Sequence, residues 1–73
     1  RVPQVGDWVL WRDYDSDRPA MVANVNVTGT LTLAILGKGG QWIIRTEVAH
    51  DRVADGGMTI QGMWRWKGEK SNV

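Results

Sequence analysis

The sequence predicts an all-β fold, built as one small barrel of five strands. No stretch of ten or more residues has apolar side chains at helical spacing, whereas short extended runs with alternating side chains recur at intervals of about ten residues. Turn-forming residues, mainly glycine and aspartate, separate these runs. The chain has 73 residues, which is the size of a single domain. In so short a chain, closing the sheet into a barrel would remove its exposed edges.

The first predicted strand, residues 7–12, carries two of the five tryptophans. Aromatic and β-branched residues favour the pleated surface of a sheet. Side chains alternate along a strand, so Val9 and Trp11 point to one face and Trp8 and Leu10 to the other. Both faces of this strand are therefore apolar, and we expect both to be covered, by the barrel's own core or by a partner.

The remaining strands follow from the same alternation. Residues 30–36 show it most clearly, because three large aliphatic side chains share one face and smaller residues share the other. In residues 20–27 the alternation changes phase, which predicts a β-bulge near Ala23 and Asn24. Residues 58–67 place Trp64 and Trp66 on one face. The predicted strands are 7–12, 20–27, 30–36, 41–48 and 58–67, within one domain over 1–73 that has frayed tails at 1–4 and 68–73.

Composition argues against several functional classes. The net charge is +1, with acids and bases mixed, whereas a duplex-DNA binder usually has a clear basic excess. No apolar run approaches the ~20 residues that span a bilayer, so we expect no membrane insertion. The chain has no cysteine and a single histidine, His50, beside Asp51. This set offers no nucleophile with its base and orienting group, so we expect no enzyme activity, no catalytic residue and no cofactor.

The acidic loop after the first strand has carboxylates at alternate positions, as calcium-binding loops do. The full calcium motif also needs glycine at its sixth position and glutamate at its twelfth. Arg18 and Asn24 occupy those positions. We therefore predict a solvated polar loop and no metal site.

The segment 64–67 is the sharpest candidate site, because two tryptophans alternate with two cations. Trp64 and Trp66 could stack unpaired bases while Arg65 and Lys67 hold phosphates, as in single-strand binders. Both indoles could equally anchor a protein interface. They could also lie in the core and complete the barrel, or divide between core and rim. The sequence leaves these alternatives open.

A second candidate surface lies on the outer side of the first strand. If Val9 and Trp11 face the core, Trp8 and Leu10 lie outside, and an exposed apolar patch on a small protein usually marks a contact site. A covering loop at 13–18 is the competing explanation. The predicted protein interface combines both candidate surfaces with arginines at the rim: Trp8, Leu10, Arg12, Arg45, Trp64, Arg65 and Trp66.

The chain also resembles a known class of proteins. Residues 6–11, followed by 19–22 and Val25, are similar to the opening of SH3-like small barrels of the Tudor and KOW type. More specifically, the chain resembles small proteins of tailed bacteriophages. Their patterns "V-L-Y-R", "P-A-x-V", "G-T-V-N-L-x-V", "H-D" and "G-x-W-x-W" are matched here by residues 9–12, 19–22, 29–35, 50–51 and 62–66. Lys67 departs from the pattern, which often continues with proline.

This resemblance implies a non-enzymatic structural protein with an SH3-like barrel. Its concrete form would be capsid decoration or a head or tail accessory role, located in the virion and in the host cytoplasm during assembly. The expected partners are other virion proteins, of the capsid or the connector and tail, and a second copy of the chain. The alternative function is nucleic-acid binding through Trp64, Arg65, Trp66 and Lys67.

Overall fold

The computed structural model describes residues 2–13, 16–51 and 62–68. The fold is all-β, as the alternating sequence pattern predicts: five strands form one antiparallel sheet. The bounds of the strands are β1 Trp8–Arg12, β2 Asp17–Val25, β3 Leu31–Leu36, β4 Trp42–Val48 and β5 Trp64–Arg65.

The strand order in the sheet is β4-β3-β2-β1-β5. The first four strands form a meander, and β5 returns to pair with β1 at the far side. The predicted closure into a barrel is not confirmed, because β4 and β5 are the two edges of an open sheet. A single isolated bridge between His50 and Trp64 brings the chain after β4 against β5. With only two residues, β5 is too short to form a ladder on both of its sides.

Both hairpins within β2–β4 use the same three-residue loop. The N–H of Asn26 donates to the C=O of Thr30 at 2.9 Å, and the N–H of Gly37 donates to the C=O of Gln41 at 2.7 Å. The last loop residue is a glycine with positive φ in each case, 88° at Gly29 and 82° in the second loop. This is the turn-plus-bulge geometry that favours glycine at that position.

Two β-bulges set which residues face the core. The register moves between Val22 and Asn24, which leaves the intervening Ala23 unpaired and confirms the bulge predicted there. A second irregularity, which the sequence did not predict, lies in β4, where the residue after Thr46 has a left-handed φ of 55°. It restores the pairing of Val48 with Leu31 and places Val48 in the core.

The core lies on one face of the sheet, called here the inner face. The predicted alternation of β1 and β3 is confirmed, since every second residue of these strands is buried. Trp66 packs against the same cluster from the end of the chain. The buried apolar residues are Val9, Trp11, Ala20, Val22, Leu31, Leu33, Ile35, Val48 and Trp64.

The bounds of two strands differ from the prediction by more than one residue. β2 begins at Asp17, three residues before the predicted start, because Arg18 and Pro19 pair with β1 despite the missing N–H of proline. The last strand was predicted over 58–67, but β5 holds two residues, and Gly62 before it has a φ of 88°, which is not extended backbone. The earlier part of that prediction lies outside the described residues.

Candidate protein interface

The face of the sheet opposite the core carries two neighbouring rows of apolar side chains. In the first row the register places Trp8 beside Met21, Met21 beside Ala34, and Ala34 beside Ile44. The second row lies two residues further along the strands. It consists of Leu10 beside Pro19, and Leu36 beside Trp42. We call these two rows the outer band: Trp8, Leu10, Pro19, Met21, Ala34, Leu36, Trp42 and Ile44.

No side chain of the outer band is buried. Trp8, Trp42 and Ile44 are 55%, 54% and 58% exposed. The ring centroids of the two tryptophans are 6.4 Å apart, although two strands separate β1 from β4. The two indoles therefore lean toward each other above the middle of the sheet. An indole buries at most ~250 Å² when fully covered, so these two expose on the order of 250 Å² together.

A charged cluster borders one end of the outer band. Arg12 pairs with Asp17 across β1 and β2 in the next row, and Arg65 lies beside Leu10 on β5. The Arg65 guanidinium donates to both carboxylate oxygens of Asp17, through Nη1 at 3.2 Å and through Nη2. Arg12 Nη1 lies 3.7 Å from Oδ1 of the same carboxylate. The cluster thus joins two cations to one anion in a half-buried position.

A network of hydroxyl, amide and carboxylate groups borders the other end. Glu47 Oε2 accepts hydrogen bonds from the hydroxyls of Thr28 and Thr30, at 3.1 and 3.0 Å. The Asn26 amide oxygen accepts from Thr32 at 3.2 Å. These bonds connect the β2–β3 hairpin to the bulge of β4. They hold polar side chains in fixed positions beside the apolar rows.

This arrangement has the anatomy of a protein-binding surface. Protein interfaces combine a water-free apolar centre, rich in tryptophan and methionine, with a polar rim. Contiguous apolar patches on small proteins usually have a binding role. The outer band supplies such a centre, and the two polar borders supply parts of a rim.

The candidate segment 64–67 is divided between the core and the surface. Trp64 is 4% exposed and belongs to the core, with its ring edge-to-face against His50 at 4.5 Å and against Trp66 at 5.4 Å. Trp66 is half-buried against the core cluster, and Lys67 is exposed. The indole of Trp64 therefore offers no face to a partner in this structure.

The arginines assigned to the rim also fall in different places. Arg12 and Arg65 border the outer band, but both are engaged by Asp17. Arg45 is exposed, and it pairs with the core residue Leu33, so its side chain lies on the inner side of β4. The structure therefore brings Trp8, Leu10, Arg12 and Arg65 together and places Arg45 elsewhere.

Sequence reasoning missed six members of this surface: Pro19, Met21, Ala34, Leu36, Trp42 and Ile44. The alternation of β4 already placed Trp42 and Ile44 on one face. The sequence did not give the strand register that brings this face beside Trp8. That register depends on two hairpin loops and on the bulge at Ala23. Two loops of the same type, each ending in glycine, were the available signal.

The other candidates have structural explanations. Asp51 is 3% exposed, and His50 packs edge-on against Trp64. Among the residues that the structure describes, no three carboxylate or imidazole side chains lie close enough to hold a metal ion. The same part of the chain contains no helix long and apolar enough to cross a membrane.

Comparisons of the chain with models of protein families, with curated proteins and with solved structures found no match.

Proposed function

We propose that this protein is a non-enzymatic module that binds another protein through its outer band. The observation that carries the proposal is the placement of eight apolar side chains in two adjacent rows, none of them buried and three of them more than half exposed. Scattered apolar residues are normal on a protein surface, but a contiguous patch across four strands is not. Burial of the two indoles would supply the main part of the binding free energy.

The motif resemblance supports a tailed-phage particle as the setting. On that hypothesis the partner is a capsid, connector or tail protein, and the protein resides in the virion. An apolar sheet face suits such a role, because it can lie against the folded surface of a large neighbour. The proposal of a protein partner rests on the outer band and does not depend on the phage setting.

Photo-cross-linking from the centre of the outer band tests the proposal. A photoreactive amino acid at position 34 would contact a bound partner directly, whereas one at Val27, which is fully exposed in the β2–β3 loop, would not. In an extract of the cells that naturally contain the protein, we expect one discrete protein adduct from position 34 and none from position 27. Adducts from position 27 alone, or from neither position, would contradict the proposal.

A fluorescence titration with nucleic acid tests the alternative function. Stacking of bases on tryptophan should quench emission, and phosphate contacts should make the affinity fall steeply with salt. Because Trp64 is in the core and Arg65 is engaged by Asp17, we expect no saturable quenching with single-stranded or duplex DNA, even at low salt. Saturable, salt-sensitive quenching would support nucleic-acid binding instead.

A further inference from the structure

Within the described sheet, β4 is an edge strand whose first three residues lack the usual protection against pairing. Natural edge strands are guarded by charges, prolines, bulges or short length. β4 has seven residues, and its first three, Trp42, Ile43 and Ile44, are large, apolar and 54%, 36% and 58% exposed. Among the described strands, only β3 pairs with it. The first charge on this strand is Arg45, and its bulge comes later, near Glu47.

The hairpin geometry shows which backbone groups of β4 face outward. The N–H of Gly37 donates to the C=O of Gln41, so these two residues form a hydrogen-bonded pair with β3. Hydrogen-bonded and non-hydrogen-bonded pairs alternate along an antiparallel ladder. Ile43 and Arg45 therefore bond to β3, and the N–H and C=O groups of Trp42 and Ile44 point to the free edge.

We propose that two copies of this chain pair edge to edge through β4, antiparallel and around a twofold axis at Ile43. In this register Trp42 of each copy lies opposite Ile44 of the other. Their outward N–H and C=O groups then form four hydrogen bonds between the copies. The register uses only the regular part of β4 and leaves the bulge near Glu47 unpaired.

The side chains of β4 are complementary to themselves in this register. The two Ile43 side chains meet on one face at a non-hydrogen-bonded position, where side chains approach most closely. Trp42 meets Ile44 on the other face, an aromatic and β-branched pair of the kind that stabilises sheets. Arg45 lies opposite Gln41, so no like charges face each other. A net charge of +1 per chain also makes the repulsion between copies small.

The shifted register with Ile44 on the axis is less favourable. It would place Ile43 opposite Arg45, and Trp42 opposite Thr46 at the start of the irregular segment. Edge pairing over about five residues of each copy buries less than the ~1,200 Å² of a small specific interface, so we expect a dimer that dissociates in the micromolar range or above. In that dimer the two outer bands lie on the same side and form one continuous surface. The dimer is independent of the protein partner proposed above.

Amide hydrogen exchange of the unaltered protein tests the proposal at the level of single bonds. Between about 0.02 and about 1 mM protein, we expect exchange at Trp42 and Ile44 to slow by about two- to sevenfold as dimer forms, because the monomer fraction falls no faster than the square root of the protein concentration. The amides of Ile43 and Arg45, which bond to β3, serve as internal controls and should not change. Equal exchange rates at Trp42 and Ile44 over this range would overturn the proposal.

A charge pair at the axis tests the register. Ile43→Lys alone and Ile43→Glu alone should each be monomeric by sedimentation, because like charges would face each other at the twofold axis. An equimolar mixture should form a dimer. The same substitutions at Val27 should leave the association of the natural chain unchanged. A dimer of Ile43→Glu by itself would indicate the shifted register, with glutamate opposite Arg45, and a mixture that stays monomeric would contradict the pairing.

Circular dichroism of both variants establishes that they are folded before association is compared. If either is unfolded, hydrogen exchange of the natural chain decides the question alone. Because Ile43 is not part of the outer band, cross-linking from position 34 should continue in both variants. Loss of the dimer with retained cross-linking would therefore separate the two proposals.

Discussion

Trp8 and Trp64 show how neighbours in the sheet give one type of side chain two different environments. Trp64 pairs with Trp11 across β1 and β5 and lies on the inner face with the aliphatic core. Trp8 pairs with Met21 on the other face, where its ring remains 55% exposed. Folding accounts for the burial of Trp64. On the proposed function, binding to a partner would explain the exposure of Trp8.

Truncation of Trp64 should be costly. Trp64→Ala removes a large buried side chain and leaves a cavity, so we expect the free energy of unfolding to fall by about 3–5 kcal/mol. Natural domains of this size have about 4–11 kcal/mol in total, so the variant should lose between about a quarter and all of its stability. Urea denaturation measures the difference. Lys67→Ala is the control, with an expected change within about 0.5 kcal/mol. A loss below about 1 kcal/mol for Trp64→Ala would place this indole outside the core.

The carboxylate of Asp17 neutralises Arg65, whose side chain is only 17% exposed. Asp17→Asn keeps the shape but removes the charge that accepts both guanidinium bonds. We expect a loss of about 1–3 kcal/mol in the free energy of unfolding, the range for hydrogen bonds to charged groups and for a poorly satisfied buried one. Thermal and urea unfolding measure it.

Asp7→Asn provides the matched control for the Asp17 variant. The Asp7 carboxylate accepts one exposed bond from the N–H of Gln4 at 2.9 Å. Its replacement should cost less than about 1 kcal/mol. Equal losses for the two variants would show that the pairing of Asp17 with Arg65 contributes nothing specific.

At the scale of elements, the glycine that ends each hairpin loop has a positive φ. Gly40 has a φ of 82°, and an added Cβ there would meet nothing within 4 Å, so the penalty of a side chain is purely conformational. We expect Gly40→Ala to lower the free energy of unfolding by about 1–2 kcal/mol. The neighbouring Gly39 has no positive φ, and an added Cβ would make ordinary contacts with Gln41. Gly39→Ala should be neutral or slightly stabilising. The reverse order in urea denaturation would contradict this loop geometry.

Local patterns predicted the elements that depend on local chemistry. The alternation of 30–36, the turn glycines and the phase change at Ala23 gave β3, the hairpins and the first bulge. The bulge of β4 escaped prediction because Glu47 is not a residue that favours a left-handed φ. Hydrogen bonds from two hairpin threonines accompany it there. Because these hydrogen bonds join residues that are far apart in the sequence, the local pattern does not predict them.

The outer band could be predicted only in part for a related reason. Trp8 and Leu10 were identified from one strand, since alternation within a strand is a local property. Met21 and Trp42 lie beside Trp8 and Leu10 because of the register of three neighbouring strand pairs. A single bulge missed in the sequence would have placed these side chains on the other face of the sheet. The predicted role of Trp64 remained open because alternation shows which side chains share a face but not which face is covered.

At the scale of the whole molecule, one sheet presents apolar side chains on both faces. The inner face holds the described core, and the outer face holds a band of comparable breadth that nothing described covers. A small domain gains only limited stability from burying apolar side chains. Uncovered tryptophans also lower its solubility, and a binding role would explain why they remain exposed. The phage setting stays a prediction from the motif resemblance.

Fluorine NMR measures how the five tryptophans divide between the two faces of the sheet, on which the proposed binding surface depends. With 5-fluorotryptophan in place of tryptophan, dilute protein should give five resonances. A soluble gadolinium chelate should broaden those of Trp8 and Trp42 strongly and Trp66 moderately. It should leave those of Trp11 and Trp64 sharp. Strong broadening of Trp64 together with protection of Trp8 and Trp42 would contradict this division of the tryptophans. It would favour nucleic-acid binding through Trp64 instead.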